Sequence, residues 1–197
     1  MKQVAQKSSL TQSIKKSKFT GICIPVSSID ESKEIILDIE KEYRKATHVC
    51  WAYTVANPDG QIVSYCSDAG EPHNSAGPPI LAAIEGRKLV NTLCVVIRYF
   101  GGIKLGIGGL IRAYGGVAGS TLDRAGFVEI SQYVQMKITV RLSDYPRVIR
   151  FLQRNRMTFQ QEFDAENVTI AAKVEKDKKD RFISDLDSLG NIQYKLG

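Results

Sequence analysis

A run of glycines that leads into a predicted helix carries the strongest chemical signal in the sequence. Eight of the sixteen glycines fall between Gly101 and Gly119. Backbone N–H groups at a helix start lie at the positive end of the helix dipole and favour a phosphate or a carboxylate. The segment is not a Walker A motif, because no Gly-Lys-Ser/Thr follows the glycines. It is not a dinucleotide fingerprint either, because no acidic residue lies at the end of a following parallel strand. The candidate anion-binding residues are Arg98, Gly101, Gly102, Lys104, Gly106, Gly108, Gly109 and Arg112. The alternative is a glycine-rich packing element with incidental surface arginines.

Three further glycines, Gly115, Gly116 and Gly119, fall inside the helix predicted from Leu110 to Ala125. Each glycine in a helix costs about 1 kcal/mol relative to alanine, so their presence needs a structural reason. The simplest reason is a close approach of this helix to a sheet.

Acidic and polar side chains also collect in the turn SDAGEPHNSAGPP at residues 67–79. The acidic-turn candidates for acid–base chemistry are Asp68, Glu71 and His73. No Gly-x-Ser-x-Gly elbow surrounds Ser75, so the turn does not resemble a serine hydrolase site. The carboxylates could equally cap the helix that follows or pair with an arginine. We expect Glu71 to pair with Arg98 or Arg112, which would bring this turn and the glycine loop to one surface.

A third basic feature lies near the C-terminus, in the helix predicted over residues 144–154. Its arginines, three and four positions apart, share one helical face. These candidate phosphate-binding residues are Arg147, Arg150 and Arg154. The face could follow the phosphates of a nucleic acid, or it could be an ordinary solvated exterior.

Composition and charge exclude several classes of protein. The 197 residues are 43% hydrophobic and 24% charged, which is typical of a globular chain and excludes disorder or a collagen-like repeat for the whole chain. Charged residues interrupt every apolar stretch too early for a membrane-spanning helix. The start is polar and basic, unlike a secretory signal. The net charge of +6 permits an acidic partner such as nucleic acid.

The four cysteines and two histidines do not form a metal-binding pattern. No Cys-x-x-Cys spacing occurs, so we expect no metal site and no cofactor. The cysteines are Cys23, Cys50, Cys66 and Cys94, and most fall in apolar strand-like runs. We therefore expect buried free thiols in a reducing compartment.

The elements that must position these residues are predicted by periodicity. Residues 1–17 look like a flexible leader or a frayed first strand, and 101–109 like a loop. A capping box at Ser28–Glu31 starts a helix. The turn Asn57–Gly60 predicts a hairpin, and the near-continuous apolar run 92–99 predicts a strand covered on both faces. The other predicted elements of this part are strands at 18–26, 48–56 and 61–67 and helices at 80–88 and 110–125.

After residue 130 the pattern restarts and predicts a second domain. Its elements follow the order β-α-β-β-α-β, which is typical of the split βαβ, ferredoxin-like arrangement. The strands are predicted at 133–142, 157–163, 168–175 and 191–196, and the helices at 144–154 and 177–189. The sequence therefore predicts an α+β protein with a leader at 1–17 and domains at 18–130 and 131–197.

Two groups of segments resemble the signature of the IMPACT/YigZ family. The first is SDAGEP at 67–72 with SAGPPIL at 75–81, and the second is VVIRYFGGIKLG at 95–106 with GLIRAY at 109–114. The resemblance covers roughly residues 18–128, and the last 65 residues are similar to the small domain that bacterial YigZ-type members append. The chain departs from the family at Ala69, where a second acidic residue is common, and at His73-Asn74, where small residues are usual.

The resemblance implies a first domain with the ribosomal protein S5 domain 2-like fold and a second domain like the ferredoxin-type domains of translocating elongation factors. It also implies a cytoplasmic protein that associates with RNA or the ribosome. Eukaryotic members act in translational control by competing for an activator of the starvation kinase, also using an extra N-terminal domain. Only about 17 residues precede the shared domain here, so that competition is not carried over.

We therefore expect a non-catalytic protein in a translation-related or regulatory role, without a cofactor or a membrane association. The alternative is an enzyme or binder of a small phosphorylated or carboxylated ligand at the loops 68–77 and 101–112. A third hypothesis is a protein-interaction module without a small ligand.

Overall fold

The computed structural model has an α+β fold and describes residues 1–57, 61–131, 133–190 and 192–196. The chain divides into two units, Met1–Ile130 and Ser131–Gly197. The strands are β1 Lys2–Val4, β2 Ser8–Ile14, β3 Ser17–Pro25, β4 His48–Ala56, β5 Ile62–Ser67, β6 Thr92–Tyr99, β7 Phe127–Glu129, β8 Tyr133–Arg141, β9 Phe159–Phe163, β10 Asn167–Glu175 and β11 Gln193–Leu196. The helices are α1 Ile29–Glu42, α2 Gly77–Glu85, α3 Ile107–Ala125, α4 Tyr145–Arg154 and α5 Lys179–Asp187.

The first unit is built on a five-stranded antiparallel sheet in the order β2-β3-β6-β4-β5. Helix α1 packs on one face through Ile36 and Ile39, and α2 and α3 pack on the other through residues such as Ile80 and Val117. The central strand β6 is buried from Thr92 onward on both faces, as its apolar run predicts. Arg98, the last residue but one of β6, is therefore buried as well.

The first residues form strands, so the interpretation of 1–17 as a flexible leader is wrong. Strand β1 pairs with β7, and β2 pairs with β3 from Ser8 to Ile14. Val4 is fully buried. The sequence signal is weak here because β2 is an edge strand whose outward side chains are polar. Ladder hydrogen bonds, rather than an apolar pattern, hold it in place.

Helix α3 begins at Ile107, earlier than predicted, so Gly108 and Gly109 belong to its first turn and not to the loop. The helix does approach the sheet closely, but a strand glycine makes this possible. A Cβ at Gly21 on β3 would lie 2.2 Å from Thr121 Oγ1. The helix glycines have other surroundings. Gly115 lies against α2, and a Cβ added at Gly116 would meet open space. The expected reason for the helix glycines is therefore wrong.

The second unit has the predicted order β-α-β-β-α-β, with an antiparallel sheet ordered β11-β8-β10-β9. Helices α4 and α5 contribute Leu152 and Leu186 to one core, which they share with alternate residues of β8 and β10. Helix α5 starts later than predicted because a 3-10 turn, Lys176–Lys178, precedes it.

In the first unit, β4 and β5 form the predicted antiparallel pair, but residues 58–60 of the predicted turn lie outside the described residues.

The cysteines are free, as predicted. Cys23, Cys50 and Cys94 are buried, and Cys66 is half-buried. Cys23 and Cys94 face each other across the β3–β6 pair.

Candidate functional site

A buried ion pair joins the acidic turn to the end of β6. Arg98 Nη1 donates to Glu71 Oε1 at 2.6 Å, and the two side chains are only 7% and 3% exposed. The Tyr114 hydroxyl of α3 donates to the same carboxylate oxygen at 2.7 Å. Glu71 therefore ties the turn to both the sheet and α3. The predicted pairing of Glu71 with Arg98 is confirmed.

Two aromatic rings hold the Arg98 guanidinium in place, while one of its polar atoms lacks a partner. Its carbon lies 5.5 Å from the Phe19 ring centroid and 5.4 Å from that of Phe100. Its Nη2 lies 3.5 Å from Ser17 Oγ. Arg98 Nε is buried and has no hydrogen-bond partner among the described residues. A buried unpaired N–H of this kind needs an explanation, such as a ligand or a water molecule.

His48 is a part of this site that the sequence analysis missed. Its Nδ1 lies 2.9 Å from the Ala69 carbonyl oxygen, so a proton there donates to that oxygen, and its Nε2 lies 3.9 Å from Glu71 Oε2. The register of β4 with β6 places His48 directly opposite Arg98. Only the pairing of two strands fifty residues apart could have revealed it.

Two other buried groups near Glu71 stay protonated. Burial raises the pKa of the Cys50 thiol to about 12, so this thiol is not a nucleophile at neutral pH. Burial is also the main cause that raises the pKa of Tyr114. The phenol therefore keeps the proton that it donates to Glu71.

Asp68 holds the turn together instead of facing the site. Its carboxylate accepts the N–H groups of Asn74 at 2.7 Å, Ala76 at 2.9 Å and Gly77 at 2.8 Å. Burial acts to raise the pKa of Asp68, but these three bonds together hold it below its ordinary value. The carboxylate thus caps the start of α2. His73 is exposed on the outside of the turn.

A cleft of about 400 Å³ lies between the acidic turn and the glycine loop. The residues that matter for its chemistry are His48, Glu71, Arg98, Phe100, Lys104 and Ile107. The expectation that the two loops share one surface is confirmed. Asp68 and His73 do not line the cleft, so only Glu71 of the acidic-turn candidates belongs to it.

The glycines of the loop have different roles. A Cβ at Gly101 would lie 1.9 Å from the Lys16 carbonyl oxygen, so Gly101 allows the β2–β3 hairpin to pack against the loop. Gly102 and Gly106 have positive φ angles of 85° and 75° and face open space. Gly106 precedes α3, and no side chain of the described residues caps the first turn of that helix. Its N–H groups are therefore available at the edge of the cleft.

Four exposed cations lie on the β2–β3 hairpin, the glycine loop and α3. Arg112 lines a smaller hollow of about 210 Å³ together with Lys15, and Leu105 lines both this hollow and the larger cleft. The four residues, which we call the basic cluster, are Lys15, Lys16, Lys104 and Arg112. None of them has an acidic partner within the part of the chain that the structure describes. The two lysines belong to the β2–β3 hairpin and not to a flexible leader.

The arginines of α4 are exposed on one face of that helix, while Val148 and Leu152 face the core. Arg147 donates to Asp144 at 2.8 Å, and Arg150 donates to the Pro146 carbonyl at 3.0 Å. These are local contacts on an exposed surface. They leave most of the face accessible to solvent.

The segment that contains the cleft and all four residues of the basic cluster is also the segment that matches known proteins. A family model described as the Impact N-terminal domain matches residues 15–122. The chain belongs to the IMPACT family. The family resemblance read from the sequence is therefore confirmed. All six cleft residues named above lie inside this IMPACT match.

Curated IMPACT relatives and a solved structure extend the match. IMPACT family member YvyE of Bacillus subtilis is 36% identical over 181 residues, which are 90% of this chain and 81% of that protein. IMPACT family member YigZ of Escherichia coli is 37% identical over 107 residues, 54% of this chain and 52% of that protein. A crystal structure of a hypothetical protein aligns with a TM-score of 0.70 and 26% identity, covering 98% of this chain and 95% of that one.

Among the described residues, no helix is both long and apolar enough to span a membrane.

Proposed function

We propose that this IMPACT family member is a non-catalytic cytoplasmic protein that binds RNA, alone or within the ribosome, in a translation-related role. The basic cluster carries the proposal. Four exposed cations, none with an acidic partner among the described residues, lie on the β2–β3 hairpin, the glycine loop and α3. Lys104 and Arg112 lie beside a helix start that no described side chain caps, and such an arrangement suits a polyanion with repeated phosphates.

The second unit supports the same function with its exposed arginine face on α4. Arginine forms bidentate contacts with phosphate, so a face of three arginines can bind a nucleic-acid backbone without reading its sequence. We also propose the ferredoxin-like class for this unit, supported by its strand order, and the S5 domain 2-like class for the first unit.

A binding role also agrees with the hydrogen bonds and the protonation of the acidic and thiol groups nearest the cleft. Asp68 is occupied by three backbone N–H groups, and Glu71 accepts from Arg98 and Tyr114. Cys50 keeps its proton at neutral pH because of burial. The acidic and thiol groups near the cleft are thus used for structure.

We predict that the double substitution Lys104→Ala/Arg112→Ala weakens RNA binding and its dependence on salt. Each neutralised phosphate contributes about 0.9 to the log–log slope on a duplex and about 0.7 on a single strand. We expect a slope of about 3 to 5 for the wild type, lowered by about 1 to 2 in the double variant. Titrations of an RNA hairpin and a poly(U) oligonucleotide at several salt concentrations measure both quantities.

The matched control is Lys33→Ala/Arg44→Ala, which also removes one lysine and one arginine. Both residues are exposed, and they belong to α1 and its exit, on the opposite face of the sheet. This control should leave the slope unchanged. Absence of binding at low salt, or equal loss in the two double variants, would reject the basic cluster as an RNA-binding surface.

A further inference from the structure

We propose that the cleft between the acidic turn and the glycine loop binds a small molecule that carries one carboxylate or phosphate group on a flat apolar body. The cleft shares Lys104 and the start of α3 with the proposed RNA-binding surface, but the two proposals are tested by different probes. RNA binding can fail while the cleft binds its ligand, and the reverse also holds. The volume of about 400 Å³ is that of a small-ligand pocket.

Three groups favour an anion at one end of the cleft. Arg98 lines it, is only 5% exposed as a residue, and has an Nε that no described residue pairs. Gly106 places the uncapped first turn of α3 at the cleft, and that turn contains no acidic residue. Lys104 adds an exposed positive charge without an acidic partner among the described residues.

Glu71, the one carboxylate among the described residues that line the cleft, does not cancel this preference. Glu71 already accepts hydrogen bonds from Arg98 and Tyr114, so its charge is balanced by the buried guanidinium. The charge of Lys104 and the partial charge of the helix start are then left for a ligand. This balance indicates a ligand with a single anionic group, a carboxylate or a phosphate, and not one with several such groups.

The rest of the cleft favours an apolar ring. Phe100 is 46% exposed and Ile107 is 60% exposed, and both line the cleft together with Leu105, Leu110 and Pro72. Large apolar side chains left open beside a polar floor are typical of ligand pockets. An aromatic body would cover Phe100 and Ile107 while its acid group faces Lys104 and α3.

Binding of four probes to the full chain by isothermal titration calorimetry tests the proposal. The probes are phenyl phosphate, phenylacetate, inorganic phosphate and benzyl alcohol. We expect phenyl phosphate or phenylacetate to bind with a dissociation constant of about 1 mM or lower. Inorganic phosphate lacks the apolar ring and benzyl alcohol lacks the anionic group. Each should therefore bind at least about tenfold more weakly. The two acids distinguish a phosphate site from a carboxylate site.

Two matched variants locate the site. Ile107→Asp places a negative charge at the cleft and should abolish binding, whereas Ile111→Asp makes the same change one turn later, at an exposed position that does not line it. Both positions are exposed, and a thermal melt checks that each variant folds. Lys104→Gln should weaken binding of both acids about tenfold while the fold is kept.

Three results would overturn the proposal. One is the absence of binding by both acids, and another is equal binding of benzyl alcohol. The third is the same effect of Ile107→Asp and Ile111→Asp, which would place any bound acid elsewhere on the surface.

Discussion

Replacing Glu71 with alanine is expected to lower the free energy of unfolding of the first unit by about 3 to 5 kcal/mol. The change leaves the buried Arg98 guanidinium without its counter-charge and removes the acceptor of the Tyr114 hydroxyl. Glu71→Gln should fall between the wild type and alanine, because an amide oxygen still accepts those hydrogen bonds. Urea unfolding followed by the fluorescence of Trp51 measures the effect, since the only tryptophan lies on β4 of this unit.

An exposed ion pair of the same unit provides the control. Arg87 donates to both carboxylate oxygens of Asp123, at 2.7 and 2.8 Å, but the two side chains are 26% and 59% exposed. Asp123→Ala should therefore cost only about 1 kcal/mol or less. If Glu71→Ala cost no more than Asp123→Ala, the buried pair would not be what joins the turn to the sheet.

Gly101→Ala is expected to destabilise the first unit by about 3 kcal/mol. The added Cβ would lie 1.9 Å from the carbonyl oxygen and 2.0 Å from the carbonyl carbon of Lys16. Both are backbone atoms, so no side-chain rotation relieves the overlap, and the β2–β3 hairpin must move away from the loop. The same urea unfolding, followed by Trp51 fluorescence, measures the loss.

The helix glycine Gly116 is the matched control for this substitution. A Cβ there meets nothing within 4 Å, and alanine is favoured over glycine in a helix by about 1 kcal/mol. Gly116→Ala should thus stabilise the unit slightly. Equal effects of the two substitutions would contradict the packing role of Gly101.

The sequence predicted those parts of the fold and site that depend on local patterns. The unbroken apolar run of β6 and the apolar periodicity of α1 specify the burial of these two elements. The acidic turn faces Arg98, near the end of β6. Opposite charges near the ends of neighbouring elements made the Glu71–Arg98 pair predictable, because a buried arginine needs a counter-charge.

The missed features depend on strand register and on edge strands. His48 joins the site only because β4 pairs with β6 at Arg98, and this register is not encoded near either residue. Strand β2 is an edge strand with polar outward residues, so it resembled a leader. Lys15 and Lys16, in the turn between β2 and β3, were therefore not among the predicted binding residues. Nor does the glycine run itself distinguish Gly101, which packs against backbone, from Gly102, which faces open space.

Amide chemical-shift mapping of the isotope-labelled full chain during titration with an RNA hairpin at low salt tests the central claim most directly. Binding through the basic cluster predicts that the largest shift changes in the first unit occur at residues 14–17 and 102–113. The amides of α1, on the opposite face of the sheet, should stay unchanged. Shift changes centred on α1, or no changes in the first unit at saturating RNA, would contradict the account.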